Sequence, residues 1–270
     1  MILEKTVELI YQIYRSYKIL KPKINKIAFG LKYIAVELHA YSYSPFLGLS
    51  YVPYNLMKST EYNSIEFDEK LKENRISEIL KWSYEPLSIK KIVGIATLNA
   101  MSQHILEIKN PFKKIKKNLI HHLKIETDTN IVVIGTNIPL IYKLNKITQK
   151  ITLVSDKTVS KSLLNHISIK KRVDDLRDEE KTPDILFFTD EILINDSLEE
   201  LLLKFKKKAR TIVLIGPSAS MIPDILFDYG IDIVVGTKII NHESALRIIK
   251  EGRELKYLKD CTQKYCLIKD

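Results

Sequence analysis

Glycine and hydrogen-bonding residues follow four predicted strands in the second half of this 270-residue chain. They are Gly135-Thr136-Asn137, Thr189-Asp190-Glu191, Gly216-Pro217-Ser218 and Gly236-Thr237. Glycine lets the backbone approach a ligand closely, and hydroxyl and amide groups offer directional hydrogen bonds. Because open parallel sheets bind ligands at the carboxyl ends of their strands, we expect a ligand site at these turns.

The first of these turns differs from a dinucleotide-binding turn. Gly135 is its single glycine, whereas the G-x-G-x-x-G fingerprint has three, and Pro139 stands where the next helix should begin. The missing glycines argue against a bound pyrophosphate. Asp156 lies 21 residues after Gly135, where dinucleotide enzymes keep an acid for the ribose. A lone aspartate at a strand end is common, so dinucleotide binding is a minor alternative.

The Gly216-Pro217-Ser218 turn has two interpretations that can hold together. In the first, it is a tight connection from strand to helix, with Ser218 or Ser220 as the helix N-cap. In the second, its backbone N–H groups and hydroxyls face an anionic ligand.

The candidate metal ligands form no tight cluster in the sequence. Glu37 and His39 would share one face of a strand, but such a pair is more often a polar strand face than a metal site. The two cysteines, Cys261 and Cys266, have neither the spacing of a zinc site nor that of a disulfide framework. We expect two ordinary thiols, with a disulfide or a share in a distant metal site as alternatives.

The second half of the chain predicts a parallel sheet. Apolar runs that end at glycine or polar residues alternate with segments of helical periodicity, and this alternation is typical of a Rossmann-like α/β domain over residues 125–270. The predicted strands are residues 129–135, 150–155, 184–189, 211–216 and 232–235. The predicted helices are residues 138–146, 197–207 and 242–251.

The first half predicts a small α+β domain over residues 1–110. A helix over residues 3–18 precedes an antiparallel meander over 26–29, 33–38 and 47–53. Helical spacing returns over 66–83 and 88–106, where Ser88 is a candidate N-cap. The small residues from Gly94 to Ser102 indicate a helix that packs closely against another element. Asn110-Pro111 begins a plausible connector.

Composition and charge narrow the classes of partner. Lysine and arginine total 43 against 33 acidic residues, a net charge of +10, but the lysines are spread along the chain and accompany no nucleic-acid motif. We therefore rank nucleic-acid binding last. No apolar run approaches the ~20 residues of a membrane span, and the charge pair Glu4-Lys5 stands where a secretory signal would be apolar. We expect a cytoplasmic protein without a membrane partner.

Three segments carry a resemblance to a known family. Residues 94–102, the turn Gly216-Pro217-Ser218-Ala219 and the stretch from 226 to 252 resemble the family called putative heavy-metal chelation proteins. The resemblance covers nearly the whole chain and implies an enolase-N-terminal-like domain joined to a Rossmann-like domain, with a site in the cleft between them. The chain departs from the family's pattern at Asp190-Glu191 and at Ser155-Asp156.

The function implied is binding of a heavy metal or a metal complex, with a transition metal of unknown identity as the candidate cofactor. The alternative is an enzyme, a transferase or lyase, that acts on a small anionic or nucleotide-like metabolite. Catalytic residues and metal ligands stay unassigned, and a homodimer is left open. The residues predicted to bind the ligand are Asn99, Gly135, Thr136, Asn137, Asn195, Gly216, Pro217 and Ser218.

Overall fold

The computed structural model describes residues 1–40, 45–57, 76–109, 112–114, 119–157, 167–253 and 255–269. Its strands are β1 (Lys23–Phe29), β2 (Tyr33–His39), β3 (Phe46–Tyr51), β4 (Lys113–Lys114), β5 (Ile131–Ile134), β6 (Ile151–Val154), β7 (Ser168–Lys170), β8 (Ile185–Thr189), β9 (Thr211–Ile215), β10 (Ile233–Ile239) and β11 (Thr262–Ile268). They form a three-stranded sheet and an eight-stranded sheet. The α/β class predicted from the sequence is thus confirmed.

The helices alternate with these strands along the chain. They are α1 (Ile2–Ser16), α2 (Tyr54–Met57), α3 (Ile76–Trp82), α4 (Ile89–Ile108), α5 (Leu119–His122), α6 (Ile138–Leu144), α7 (Asp190–Ile194), α8 (Leu198–Phe205), α9 (Asp224–Tyr229) and α10 (His242–Lys250). Ser88 caps α4 as predicted, since its hydroxyl accepts a hydrogen bond from the Lys91 N–H. None of the helices in the described ranges is long and apolar enough to cross a membrane.

Contacts divide the chain into two units. The first comprises residues 1–111, 217–225 and 236–265, and the second comprises 112–216, 226–235 and 266–270. Two segments from the C-terminal half thus pack with the N-terminal residues. The domain boundaries predicted near residues 110 and 125, and the likeness of the N-terminal part to enolase, stay predictions.

In the first unit, β1, β2 and β3 form an antiparallel meander, as the sequence predicts. Helix α4 packs on this sheet, and glycines permit the close approach. A Cβ on Gly48 of β3 would lie 2.0 Å from the Ala96 carbonyl oxygen of α4. A second close approach of α4 is to the end of α3, where a Cβ on Gly94 would lie 2.3 Å from the Ser83 nitrogen. The prediction that the small-residue helix packs closely is confirmed. One core cluster of this unit comprises Ala28, Ala35, Leu47, Leu49, Ile239, Ala245, Leu246, Ile249, Leu258 and Cys261.

In the second unit, the central strands are parallel and buried on both faces. The sheet order is β4-β11-β10-β9-β8-β5-β6-β7. Among the parallel strands, the chain starts at β5, moves outward to β7, and then crosses back to β8 on the other side. This is the strand order of nucleotide-binding Rossmann sheets. Apolar side chains from β5, β6, β8, β9 and β10 pack with α6 in one core cluster, which leaves the polar residues at the strand ends.

Several predicted boundaries need correction. Strand β10 continues through Gly236 and Thr237 to Ile239, so these two residues lie within a strand and not at its end. Helix α1 ends at Ser16, two residues before the predicted end at residue 18. Strands β7 and β11 were not predicted, because each is short or half-exposed and lacks a long apolar run. The helix predicted over residues 66–83 is described from Ile76 to Trp82; its beginning and the connector Asn110-Pro111 lie outside the described residues.

Candidate ligand site at the carboxyl ends of the parallel strands

The switch point of the sheet lies at the carboxyl end of β5. Strand β6 pairs with β5 on one side and β8 pairs with it on the other. Because the connections leave β5 and β8 in opposite directions, a crevice opens there in sheets of this kind. Gly135 directly follows β5 with a φ of +90°, a conformation that favours glycine. This is the first of the predicted ligand-binding residues.

Thr189, the last residue of β8, packs directly against Gly135. Its side chain is 1% exposed, and a Cβ on Gly135 would lie 2.0 Å from the Thr189 Oγ1. That hydroxyl has no hydrogen-bond partner among the residues that the structure describes. A buried polar atom without a partner is uncommon in folded proteins and calls for an explanation.

A pair of hydroxyls links the ends of β5 and β6. Thr136 Oγ1 lies 2.8 Å from Ser155 Oγ, and the Ser155 hydroxyl also accepts a hydrogen bond from the Lys157 N–H at 3.2 Å. The Lys157 ammonium in turn lies 2.6 Å from a Glu191 carboxylate oxygen. Since β6 and β8 flank β5, this ion pair joins the two strand ends on either side of the switch point.

Asn137 and Gly216 have local structural roles at the same edge. The Asn137 Oδ1 accepts the Leu140 N–H at 3.1 Å and so caps α6. Gly216 follows β9 with a φ of +147°, and a Cβ there would lie 2.2 Å from the Asp190 carboxyl carbon. Glycine at this position therefore lets the Asp190 side chain lie against the backbone.

Asn195 lies apart from this group. It is exposed and follows the end of α7. With its amide nitrogen facing the helix carbonyls, Asn195 donates to the Ile192 oxygen at 2.9 Å and to the Glu191 oxygen at 3.1 Å. Its side chain thus caps the C-terminal end of α7. Within the described residues it makes no contact with the hydroxyl pair of Thr136 and Ser155.

Asn99 and the Gly-Pro-Ser turn form a second polar group, within the first unit. The Asn99 Nδ2 donates to the carbonyl oxygens of Leu49 at 2.7 Å, Pro217 at 3.3 Å and Ser218 at 3.0 Å. These bonds fix the amide orientation and tie α4 to β3 and to the turn. The Asn99 Oδ1, in contrast, is buried without a partner in the described part of the chain.

The serines of this turn hold the backbone and do not cap a helix. The Ser218 Oγ accepts the Tyr51 N–H at 2.8 Å, which ties the turn to the end of β3. The Ser220 Oγ donates to the Pro217 oxygen at 2.6 Å and accepts the Thr237 N–H at 2.9 Å. The N-cap interpretation is therefore wrong, because residues 217–219 form a 3-10 turn and the next helix, α9, begins at Asp224.

The predicted residues thus fall into three groups by their contacts. Gly135, Thr136, Asn137 and Gly216 lie at the strand ends of the second unit, whereas Asn99, Pro217 and Ser218 lie together in the first, and Asn195 closes α7. Thr189 was noted at the end of its strand but was not among the residues predicted to bind the ligand. Its hydroxyl looks like any threonine at a strand end, and only the packing against Gly135 distinguishes it.

The candidate metal pair in β2 takes a different partner. Glu37 is buried, accepts a hydrogen bond from the Asn25 Nδ2 at 2.6 Å, and lies 3.3 Å from the His242 Nδ1. The hydrogen bond with His242 lowers the pKa of the Glu37 carboxyl most, and the hydrogen bond from Asn25 and the charge of Lys26 lower it further, against the opposing effect of burial. His39 is exposed. No group of three or more His, Cys, Asp or Glu side chains able to hold a metal occurs in the described ranges, and Cys261 and Cys266 form no disulfide there.

A Rossmann-type sheet with polar residues at its switch point defines the class of fold: an α/β protein with a Rossmann-like parallel sheet. Two family models with the same description, "Putative heavy-metal chelation", match residues 15–102 and 118–268. The second covers more than half of the chain, so the chain belongs to this family, and the resemblance noted in the sequence is confirmed.

Related proteins agree in fold. An uncharacterized protein of Methanocaldococcus jannaschii is 25% identical over 181 residues, which span 66% of each chain. A crystal structure of a protein of unknown function from Pyrococcus horikoshii, of the same family, has a TM-score of 0.73 at 21% identity and full coverage of both chains. Another, from Desulfitobacterium hafniense, has a TM-score of 0.69 at 16% identity, covering 96% of this chain and 98% of its own. At such identities the structures establish the fold alone.

Proposed function

We propose that the protein binds a polar organic molecule, alone or carrying a heavy-metal ion, at the carboxyl ends of β5 and β8. The observation that carries the proposal is the Thr189 hydroxyl, buried at the switch point without a partner among the described residues. A buried polar group left unpaired costs about 1–3 kcal/mol. A ligand or ordered water that supplies the missing hydrogen bond is therefore favoured there.

The donor chemistry supports an organic ligand over a bare metal ion. The side chains at this edge offer hydroxyls and carboxylates, whereas soft metals prefer thiolate and imidazole ligands. No cluster of such ligands occurs within the described ranges. A heavy metal at this site would therefore arrive as cargo, already held by an organic chelator, which is consistent with the family description. The location of the site between two domains, predicted from the sequence, stays a prediction.

Native mass spectrometry of protein purified without chelators, with elemental analysis of the same sample, tests the ligand class. We expect a small-molecule adduct, with or without a metal in equal amount. A metal bound in stoichiometric amount with no organic adduct would contradict the proposal. An adduct without metal would favour the alternative in which the protein is an enzyme acting on that molecule.

Thr189→Val tests the site itself. The substitution keeps the shape of the side chain and removes the unpaired hydroxyl. We expect the affinity for the molecule found by mass spectrometry to fall at least about tenfold in isothermal titration calorimetry, because one buried hydrogen bond is lost. The free energy of unfolding should stay the same or rise slightly, since no hydrogen bond within the protein is broken.

Thr152→Val is the matched control. Thr152 lies on the neighbouring strand β6, is 4% exposed, and donates its hydroxyl to Glu180 at 2.8 Å. Its loss should lower the free energy of unfolding by about 1–3 kcal/mol and leave the ligand affinity unchanged. Unchanged affinity in Thr189→Val, or an equal loss in both variants, would remove Thr189 from the site.

A further inference from the structure

We infer that the second unit has another binding site, at the amino ends of its parallel strands, and that this site binds a free basic amino acid. A cavity of about 750 Å³ lies at this edge of the sheet, and all of its lining residues belong to the second unit. The volume is typical of a site for a small molecule. The cavity is independent of the site in the proposed function, which lies at the carboxyl ends of the same strands.

Three charged residues of alternating sign line the cavity along the sheet edge. Asp184, Arg210 and Asp232 directly precede β8, β9 and β10, which are neighbours in the sheet. In the register of the ladders, Asp184 lies level with Arg210, and Asp232 lies level with Ile212, two residues further along β9. Since adjacent strands lie about 4.8 Å apart and alternate residues share a face, the three side chains lie on one face of the sheet. The arginine is therefore flanked by a carboxylate on either side.

Both aspartates are held in place by backbone hydrogen bonds. The Asp184 Oδ2 accepts the Asn130 N–H at 2.9 Å, and the Asp232 Oδ2 accepts the Ile212 N–H at 2.8 Å. Neither carboxylate forms an ion pair within the described residues. An ionised carboxylate has two acceptor oxygens, so each aspartate keeps one oxygen for a ligand. The edge thus offers two fixed acceptors for cationic groups.

The Arg210 guanidinium is a candidate anion site between these acceptors. Its side chain is exposed and forms no hydrogen bond or ion pair in the part of the chain that the structure describes. The backbone around it is fixed, because the Arg210 N–H donates to the Pro183 oxygen at 3.1 Å and the Thr211 N–H donates to the Asp184 oxygen at 3.0 Å. A guanidinium binds a carboxylate through two parallel hydrogen bonds. A ligand carboxylate therefore fits this position.

The remaining charges of the cavity favour a ligand with a net positive charge. Glu126 and Asp128 add two acids to the lining, whereas Lys124 and Lys269 add two bases. The Lys269 Nζ already donates to the Phe227 oxygen at 2.7 Å. With the three residues of the sheet edge, the lining has four acids and three bases. A ligand with one more cationic than anionic group balances this surplus.

A basic amino acid has the matching set of groups. Its carboxylate pairs with Arg210, and its α-ammonium and side-chain cation pair with Asp184 and Asp232. A neutral amino acid would leave one of these aspartates without a cation, and a polyphosphate would meet the surplus of carboxylates. The chemistry of the cavity therefore selects the class of lysine, ornithine and arginine.

Calorimetric titration of the full chain with lysine, ornithine and arginine tests the ligand class. We expect at least one of them to bind. Its affinity should fall at least about tenfold when the carboxylate is converted to an amide, and again when the α-amino group is acetylated instead, because each change removes a charged hydrogen bond. Norleucine, which is as long as lysine but lacks the second ammonium, should bind more weakly than lysine.

Arg210→Gln and Asp184→Asn test the site. Each should lower the affinity at least about tenfold, and the asparagine keeps an oxygen for the Asn130 N–H. Arg253→Gln and Asp178→Asn are the matched controls. Both residues are exposed, form surface ion pairs and lie outside the lining of the cavity, so these variants should bind as the native chain does. Thermal unfolding of each variant verifies that it is folded; Arg210 is exposed, so Arg210→Gln should fold normally.

The outcomes separate this inference from the proposed function. If none of the three amino acids binds, if the amide binds as tightly as the free acid, or if Arg210→Gln keeps the native affinity, the inference is overturned and the proposed function stands. Thr189→Val should leave the affinity for the amino acid unchanged. A loss of affinity in that variant would place the amino acid at the carboxyl ends of the strands and overturn the assignment to this cavity.

Discussion

Gly135, at the switch point, combines a backbone conformation that only glycine adopts readily with close packing. At Gly135, an added methyl group would meet the Thr189 Oγ1 at 2.0 Å, and the φ of +90° is unfavourable for any other residue. The Rossmann-like ends of β5 and β8 therefore depend on a glycine here for two separate reasons.

Gly135→Ala should lower the free energy of unfolding by about 2–4 kcal/mol in urea titration, because backbone strain and steric overlap add. Gly230→Ala is the control. Gly230 has a φ of +107°, but the nearest atom to an added methyl group is 3.3 Å away. This variant should lose about 1–2 kcal/mol through backbone strain alone. Equal losses of unfolding free energy in the two variants would show that steric overlap with Thr189 does not destabilise Gly135→Ala.

Glu180 links stability to pH. It is 2% exposed; burial opposes its ionisation, but hydrogen bonds from Arg177 and Thr152 prevail and lower its pKa to about 2. A carboxyl whose pKa is lowered by folding stabilises the protein above its unfolded pKa, and that contribution disappears as the pH falls towards the folded pKa.

Glu180→Gln should therefore be less stable than the native chain at pH 7, by about 1–2 kcal/mol after allowance for the solvent around Arg177. The difference should shrink between pH 4.5 and about 2. Urea unfolding at several pH values measures it. Glu179→Gln, which removes an exposed partner of the same arginine, should change stability little at any pH. A difference that persists at pH 2 would exclude this linkage.

At the scale of elements, the first unit depends on how closely α4 approaches β3. A methyl group on Gly48 would lie 2.0 Å from the Ala96 oxygen and 2.4 Å from the Ala100 nitrogen. These are backbone atoms of a buried helix, so the overlap cannot be relieved by a change of rotamer.

Gly48→Ala should consequently destabilise the protein by more than about 3 kcal/mol, or prevent folding. Ser50→Ala, two residues further along β3, is the control, because it removes only a long hydrogen bond of 3.5 Å to Ser218. We expect that variant to stay within about 1 kcal/mol of the native chain in thermal unfolding. A Gly48→Ala protein with native stability would show that α4 and β3 can separate without cost.

The sequence predicts the elements better than their roles. The antiparallel meander, α4 with its Ser88 cap, and α10 are confirmed, because alternating and helical periodicities are local signals. The end of β10 was placed too early, since Gly236 is a strand residue whose missing side chain leaves room for Tyr265. Nothing local distinguishes a glycine that ends a strand from one that accommodates a distant tyrosine.

For the whole molecule, the first unit is built from segments that are far apart in the sequence. Ala28, Ala35 and Leu47 pack in one cluster with α10 and Leu258. A fragment of residues 1–110 would therefore leave this apolar face uncovered. We expect it to lack a cooperative thermal transition by circular dichroism, whereas the full chain has one. A cooperative transition in the fragment would support an independent N-terminal domain with a boundary near residue 110.

The sequence by itself determined the α/β class, the order of the central elements and the strand ends where a ligand is expected, because these follow from short-range patterns of apolar, polar and glycine residues. The tertiary structure decided that Asn99 and Ser218 contact one another, that Glu37 pairs with His242 across 205 positions, and that the Thr189 hydroxyl is buried without a partner in the described ranges. Each of these contacts depends on which backbone segment, far away in the sequence, packs beside the side chain in the folded protein. Only the folded chain brings such groups together, so no local pattern reports them.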